Sequence, residues 1–361
     1  MKGQKIRLAI VAVAALFLAG DTAPPEKDDY DIHAYGQECA KLIAEIPPFN
    51  CLDGEIIPIT VNGKTPETYS RHMRCDKPAY LPYPEETDGQ CAPYTRIRAA
   101  RDDDIQMILY CRRMYIRPAD DPRFDSIEAI MHNVKTGSTC FFISKNFGEK
   151  PEGDDGRRVP PPTEVTPPKG FIAAKELWAS PQEVVKDGCI FCHDSDPWMH
   201  TPWIDQTAQV PSDPWGFHSV DVGGPFVDWP KPMGISTRGN SCTGCHRIGS
   251  LNTCKTQMVG NFGEQPAKML QSIGEAPHGR FGAPKGTAYD NPRQVYTDYG
   301  LLPHGWMGAR LPEVNSLWAE YDADIRALQR CCDDPSAPGC IVQPIENMKR
   351  WLERQDAEAK R

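Results

Sequence analysis

Two short segments of this 361-residue chain place two thiols and an imidazole in the same order. They are Cys189-Ile190-Phe191-Cys192-His193 and Cys242-Thr243-Gly244-Cys245-His246. Two residues between the cysteines bring both thiols to one side of a helical turn, and the histidine adds a nitrogen donor. From the composition, about 0.01 chance matches to this pattern are expected. The segments therefore predict two sites for a bound metal or a covalently attached prosthetic group.

The spacing of the thiols matches that of the two vinyl groups of haem, and the following histidine would lie under the iron. The segments resemble the haem-binding motif of multihaem c-type cytochromes. This resemblance covers the two segments and the loop-rich sequence around them, and it implies two haem c cofactors. The cysteines that would form thioethers are Cys189, Cys192, Cys242 and Cys245. The proximal iron ligands would be His193 and His246.

Thiols and imidazoles also suit zinc or a redox-active dithiol. A four-ligand zinc site usually separates its two pairs by roughly 12 to 20 residues, whereas 49 residues separate Cys192 from Cys242. A redox-active dithiol would need a βαβ context, which this loop-rich sequence lacks. Haem is the preferred interpretation.

The iron face opposite each proximal histidine decides what the haems do. A histidine or methionine there is typical of an electron carrier, whereas an open position binds a small molecule such as peroxide. His200 and His218 are the first distal candidates because they lie between the two segments, and His304 follows in a stiff Pro-His-Gly loop. The remaining alternatives are His278, Met199, Met233 and Met307.

The preferred function is electron transfer, because no acid–base pair beside a distal pocket can be identified. The segments start 53 residues apart, which suggests two haems close together in one domain. The alternatives are a peroxidase-like dihaem enzyme with one open iron, or one unit of a larger electron conduit. The net charge is −9, and the sequence has no basic patch, so nucleic acid is not an expected partner. A basic redox protein would be a compatible partner for an acidic chain.

The N-terminus has the pattern of a secretory signal peptide over residues 1–23. Lys2, Lys5 and Arg7 precede an apolar run over 8–18, and small residues follow it. So short a run does not comfortably span a bilayer as a permanent helix. The mature protein is therefore expected in the periplasm or outside the cell, without stable membrane insertion.

Ten cysteines lie outside the two segments, an even number that allows five disulfides in an oxidising compartment. Six lie before residue 150 and four after residue 250, so we expect bridges to stay within each group. Adjacent Cys331 and Cys332 should take different partners, such as Cys254 or Cys340.

The predicted fold class is α+β. A small, disulfide-stapled, β-rich domain is expected over 24–147, with a short helix at 30–46 and a hairpin that pairs 126–134 with 138–144. The stretch 148–170 is rich in proline and glycine and predicts an exposed linker. A loop-rich, mainly α dihaem cytochrome c domain is expected over 171–361. Within it, a capping box at 180–183 predicts a helix that Gly188 ends, and apolar stripes predict helices at 311–330 and 345–352.

Overall fold

The described part of the chain carries the first segment completely and most of the second. This computed structural model describes residues 30–70, 73, 75–77, 91–102, 104–146, 151–200, 203–211, 216–244, 246–254, 323–346 and 356. The predicted signal segment lies outside these residues, as do Cys245 and His304. Most of the two predicted C-terminal helices also falls outside, although residues 323–333 are helical.

The first helix, α1, spans Ile32–Leu42. The Asp31 carboxylate caps it by accepting hydrogen bonds from the backbone amides of His33 and Ala34, which otherwise have no partner within the helix. The chain leaves helical geometry at Ile43, before Pro47 and Pro48. The predicted short helix is confirmed, but it ends at Leu42, four residues before the predicted end at residue 46.

An antiparallel five-stranded sheet follows, in the order β1-β2-β3-β5-β6. Its strands are β1 (Glu55–Ile56), β2 (Arg96–Arg101), β3 (Ile105–Arg112), β5 (Ser126–Asn133) and β6 (Thr139–Ile143). A separate pair joins β4 (Arg123–Phe124) to β7 (Asp154–Asp155). The predicted hairpin is confirmed as β5 and β6, in which His132 pairs with Thr139.

The prediction of a mainly α-helical second region is wrong for its described residues. Three of its helices are short, namely α2 (Ala174–Leu177), α3 (Pro181–Asp187) and α4 (Cys189–Cys192). The one longer helical stretch among its described residues covers 323–333. A second antiparallel sheet, in the order β10-β8-β9, joins β8 (Met233–Thr237), β9 (Ile248–Gly249) and β10 (Cys340–Pro344). Because about a hundred residues of chain separate β8 from β10, no turn motif in the sequence predicts that they pair.

One hydrophobic core contains residues from both sides of the predicted linker. Tyr35 and Phe142 lie in the same buried cluster as Trp178, Ile190 and Phe226. The linker itself is not uniformly exposed. Its Val159 is fully buried, and the backbones of Phe49 and Val159 exchange hydrogen bonds of 3.3 and 2.7 Å. The division into two domains stays a prediction.

Five disulfides use all ten cysteines outside the two segments. They are Cys39–Cys140, Cys51–Cys111, Cys75–Cys91, Cys254–Cys332 and Cys331–Cys340. Each bridge stays within its predicted group, and adjacent Cys331 and Cys332 take different partners, as expected. Such extensive pairing indicates an oxidising environment. Within the described ranges, no helix is both long enough and apolar enough to cross a bilayer.

Candidate functional site

The first segment begins directly after a firmly terminated helix. The Ser180 hydroxyl accepts from the amide of Glu183 at 3.2 Å, and the Glu183 carboxylate accepts from the amide of Ser180 at 2.6 Å. Pro181 occupies the first turn, and Gly188 ends α3 in the left-handed region with φ 70°. Glycine adopts that conformation without steric cost. The capping box and the stop are confirmed, and they lead directly into Cys189–Cys192.

Both segments close a helical turn in the same way. The backbone amide of His193 donates to the carbonyl of Cys189 at 3.0 Å, and the amide of His246 donates to the carbonyl of Cys242 at 2.9 Å. This hydrogen bond joins the first cysteine of each segment to its histidine. The turn inferred from the spacing is therefore present twice.

The thiols of these segments differ from the other cysteines. Cys189, Cys192 and Cys242 are free, whereas the ten cysteines outside the segments are oxidised in pairs. The Cys192 side chain is exposed, and its sulfur lies 3.8 Å from the Asn252 amide nitrogen. Burial, assisted by the charge of Glu128, raises the pKa of the Cys189 thiol well above its usual value. Cys189 is therefore protonated at neutral pH.

The His193 imidazole has one engaged nitrogen. Its Nδ1 lies 2.8 Å from the carbonyl oxygen of Pro197, and because a carbonyl only accepts, Nδ1 carries the proton. Burial lowers the pKa of His193 to about 4, so the ring is neutral at pH 7 and Nε2 has a lone pair. No described residue forms a hydrogen bond to Nε2. A histidine that donates through one nitrogen to a backbone carbonyl and offers the other is arranged as metal-binding histidines are.

The chain that follows the first segment is bonded to the chain that follows the second. The buried Asp194 carboxylate accepts from the Thr253 hydroxyl at 2.5 Å and from the Leu251 amide at 2.6 Å. The Ser195 hydroxyl accepts from the Gly249 amide at 2.9 Å. The sequence analysis missed this connection. Its one available signal was an acidic residue directly after the first histidine.

Of the distal candidates, His200 lies at the surface and uses both ring nitrogens. Nδ1 is 2.8 Å from an Asp205 carboxylate oxygen, and Nε2 is 3.0 Å from the Pro211 carbonyl. The hydrogen bond to Asp205 raises the pKa of His200. Two acceptors and a raised pKa favour the protonated ring, which has no lone pair for a metal.

His218 is buried, 1% exposed, and also uses both nitrogens. Nδ1 lies 3.0 Å from the Thr139 hydroxyl, and Nε2 lies 2.6 Å from the His193 carbonyl. Burial, assisted by His132, lowers the pKa of His218 to about 3. With His304 outside the described residues, the distal assignments stay predictions.

A partly buried ion pair that the sequence analysis also missed lies beside the first segment. Arg112 and Glu128, on neighbouring strands β3 and β5, are 2.9 Å apart. The Arg112 charge contributes to the lowered pKa of His193, and the Glu128 charge contributes to the raised pKa of Cys189. The Phe141 ring on β6 lies 5.2 Å from the His193 ring. The first sheet therefore provides one wall of this site.

Among the residues that the structure describes, no three His, Cys, Asp or Glu side chains form a group that could hold a metal ion by themselves. A haem iron takes four ligands from the porphyrin. The protein therefore has to supply only two thiols for the covalent attachment and one nitrogen for the iron. The first segment has those groups on one helical turn. The chain matches no protein-family model, no curated protein and no solved structure.

Proposed function

We propose that the protein is an electron-transfer protein that carries two covalently bound haem c groups, one at each segment. The observation that carries this proposal is the division among the cysteines. Ten form five disulfides, whereas the described thiols of the segments remain free. Cys189 and Cys192 are free although they share one helical turn in a chain rich in disulfides. Free thiols beside a neutral imidazole are the groups that haem attachment uses.

In this proposal each residue has a defined role. Cys189 and Cys192 form the thioethers of the first site, and the His193 Nε2 binds the iron. The Pro197 carbonyl holds the His193 ring in the required tautomer. The corresponding groups of the second site are Cys242, Cys245 and His246. Bound haem supplies an iron that alternates between the ferrous and ferric states.

The surrounding residues support transfer between the two sites. The hydrogen bonds of Asp194 to Leu251 and Thr253 hold together the stretches of chain that follow the two segments, so they keep the attachment points near each other.

The proposed location is the periplasm or the cell exterior, as the five disulfides and the predicted signal segment suggest. The net charge of −9 would attract a basic redox partner, with an association rate that falls as salt increases.

The test is haem content after expression with a c-type haem maturation system. We expect two covalent haems by mass spectrometry of the denatured protein, and one in the variant Cys189→Ser/Cys192→Ser. The matched control, Cys254→Ser/Cys332→Ser, removes a disulfide and should retain both haems. A wild-type chain without covalent haem, or a segment variant that still carries two, would contradict the proposal.

One observation favours a second candidate, a peroxidase-like dihaem enzyme. Both ring nitrogens of His200 and of His218 are already engaged, so neither offers a sixth ligand in this conformation. Carbon monoxide added to the reduced protein distinguishes the two functions. An unchanged spectrum supports the carrier, whereas binding by one haem supports the enzyme.

A further inference from the structure

We propose that His218 is a positioning residue for the first site: its Nε2–H holds the backbone carbonyl of His193, and Thr139 orients its ring, so His218 is not an iron ligand. The role toward haem rests on the proposed function. The hydrogen-bonding state of His218 can be tested separately, because its partners all lie within the chain.

The partner of Nε2 fixes the position of one proton. The His218 Nε2 lies 2.6 Å from the carbonyl oxygen of His193, and a carbonyl oxygen accepts hydrogen bonds but never donates one. Nε2 must therefore carry a proton in either charge state of the ring. A protonated ring nitrogen has no lone pair for iron.

The other nitrogen is also engaged. The Thr139 hydroxyl lies 3.0 Å from Nδ1 of His218 and 3.0 Å from Nδ1 of His132. If His218 is neutral, the hydroxyl donates to it and accepts from His132. If His218 is charged, its Nδ1–H donates to the hydroxyl, which can then donate to the Gly137 carbonyl, also at 3.0 Å. In neither case is a nitrogen of His218 available to a metal.

The backbone around His218 is held as firmly as its ring. The Thr139 amide donates to the Ser219 carbonyl at 2.9 Å, and the Ser219 amide donates to the Gly137 carbonyl at 2.7 Å. A Cβ atom on Gly137, whose φ is +76°, would lie 2.8 Å from the Phe217 Cβ. The segment therefore approaches the β5–β6 turn more closely than another residue at 137 would allow. Ligation by His218 would require these contacts to break.

The same contacts connect the first sheet to the first segment. His132 on β5 and Thr139 on β6 are joined through His218 to the carbonyl of His193, while the His193 ring is held by Pro197. Both the backbone and the ring of His193 are thus fixed by hydrogen bonds. A proximal ligand held in this way keeps one orientation under the iron, which tunes the reduction potential.

Two substitutions of His218 separate a positioning residue from a ligand. In His218→Gln the amide can donate to the His193 carbonyl, but glutamine does not replace histidine as a strong iron ligand. We expect His218→Gln to keep the wild-type visible spectrum and midpoint potentials, and His218→Ala to shift the potential of one haem. Conversion of one haem to a high-spin, carbon monoxide-binding form in His218→Gln would overturn the proposal. Potentials that are unchanged in both variants would also overturn it.

Thr139 provides a milder pair if His218→Ala fails to fold. Thr139→Val removes the hydroxyl with little change of shape, whereas Thr139→Ser keeps it. We expect the valine variant alone to shift the potential of one haem and to expose the backbone amide of Ser219 about tenfold more often in hydrogen exchange. Equal behaviour of the two variants would contradict the role of Thr139.

The proposed function and this inference can fail independently. Ring-nitrogen NMR of the full chain carrying Cys189→Ser/Cys192→Ser reads the His218 tautomer without haem at the first site, and we expect a proton on Nε2. An unprotonated Nε2 would exclude the positioning role even if the wild-type protein binds two haems. Absence of haem from the wild-type protein would contradict the proposed function and leave this NMR result interpretable.

Discussion

The Asp194 carboxylate accepts a hydrogen bond from the Thr253 hydroxyl, 59 residues further along the chain, at 2.5 Å. Asp194 is fully buried. This hydrogen bond, together with those from the backbone amides of Leu251 and Thr253, replaces the water that the carboxylate loses on folding. A buried carboxylate without such donors would be costly. The contact holds the stretch of chain that follows the second segment against the stretch that follows the first segment.

Thr253→Val should therefore destabilise the fold. It removes the hydroxyl donor with little change in shape, and we expect a loss of roughly 1 to 3 kcal/mol in the free energy of unfolding. Thr253→Ser keeps the donor and should lose less. Urea denaturation of the two variants tests this difference, and equal midpoints would show that the hydrogen bond contributes nothing.

Gly249 tests how closely the two stretches of chain approach. A Cβ on Gly249 would lie 2.4 Å from the Asp194 carboxyl carbon, so Gly249→Ala should cost about 1 to 3 kcal/mol by overpacking. Its register partner Gly234 has no neighbour closer than 3.7 Å to a built Cβ. Gly234→Ala should stay within about 0.5 kcal/mol of wild type. Thermal unfolding of both variants provides the comparison.

The buried ion pair between Arg117 and Asp125 should be important for stability. The Asp125 side chain is fully buried, and its oxygens lie 2.8 and 2.5 Å from the Arg117 guanidinium nitrogens. Asp125→Ala would leave a buried charge without its partner, and we expect a loss of about 3 to 5 kcal/mol. Asp104→Ala, which breaks the exposed pair with Lys135, should cost less than about 1 kcal/mol. Similar losses in denaturant unfolding would refute this ranking.

The disulfides should contribute according to the length of chain that they close. Cys39–Cys140 spans 101 residues and Cys75–Cys91 spans 16. Replacing both cysteines of a bridge by serine should cost about 4 to 5 kcal/mol for the first and about 3 kcal/mol for the second. Chemical denaturation without reductant measures both. The reverse order would show that loop entropy is not the main contribution.

Acid should weaken the fold partly through Asp121. Hydrogen bonds from Arg123 lower the pKa of Asp121 from 3.8 to about 2, so the unfolded chain binds this proton more tightly than the folded chain. The contribution of ionised Asp121 to the free energy of unfolding is present above pH 3.8 and is lost as the pH falls to about 2. Because Arg123 is half exposed, we expect less than about 1 kcal/mol. Melting curves of Asp121→Asn should show a smaller acid-induced loss of stability than those of the wild type, and an equal loss would contradict the role of Asp121.

The sequence predicted features that local chemistry determines. The capping box at Ser180, the left-handed stop at Gly188 and the turn before Thr139 depend on neighbouring residues, so their positions follow from the chain itself. The grouping of the disulfides followed from the distribution of cysteines. The closed turns of the two segments followed from their spacing.

Contacts between distant parts of the chain could not be predicted in this way. The pairing of β8 with β10 joins residues about a hundred positions apart in the sequence. Likewise, Val159 pairs through its backbone with the distant residue Phe49. The position of His218 between the two segments makes it a candidate ligand, whereas its hydrogen bonds to Thr139 and His193 are determined by tertiary packing. Patterns of residue types identify candidate donors, but packing determines which lone pairs remain available.

The core shared across residues 148–170 has a consequence for truncation. A fragment that begins at residue 171 would keep the first segment but lose Tyr35 and Phe142, against which Trp178 and Phe226 pack. Proteolytic cleavage near Val159 would also remove its backbone pairing with Phe49. Such a fragment would expose aromatic surface and be prone to aggregation. The parts on either side of these residues should therefore unfold as one cooperative unit.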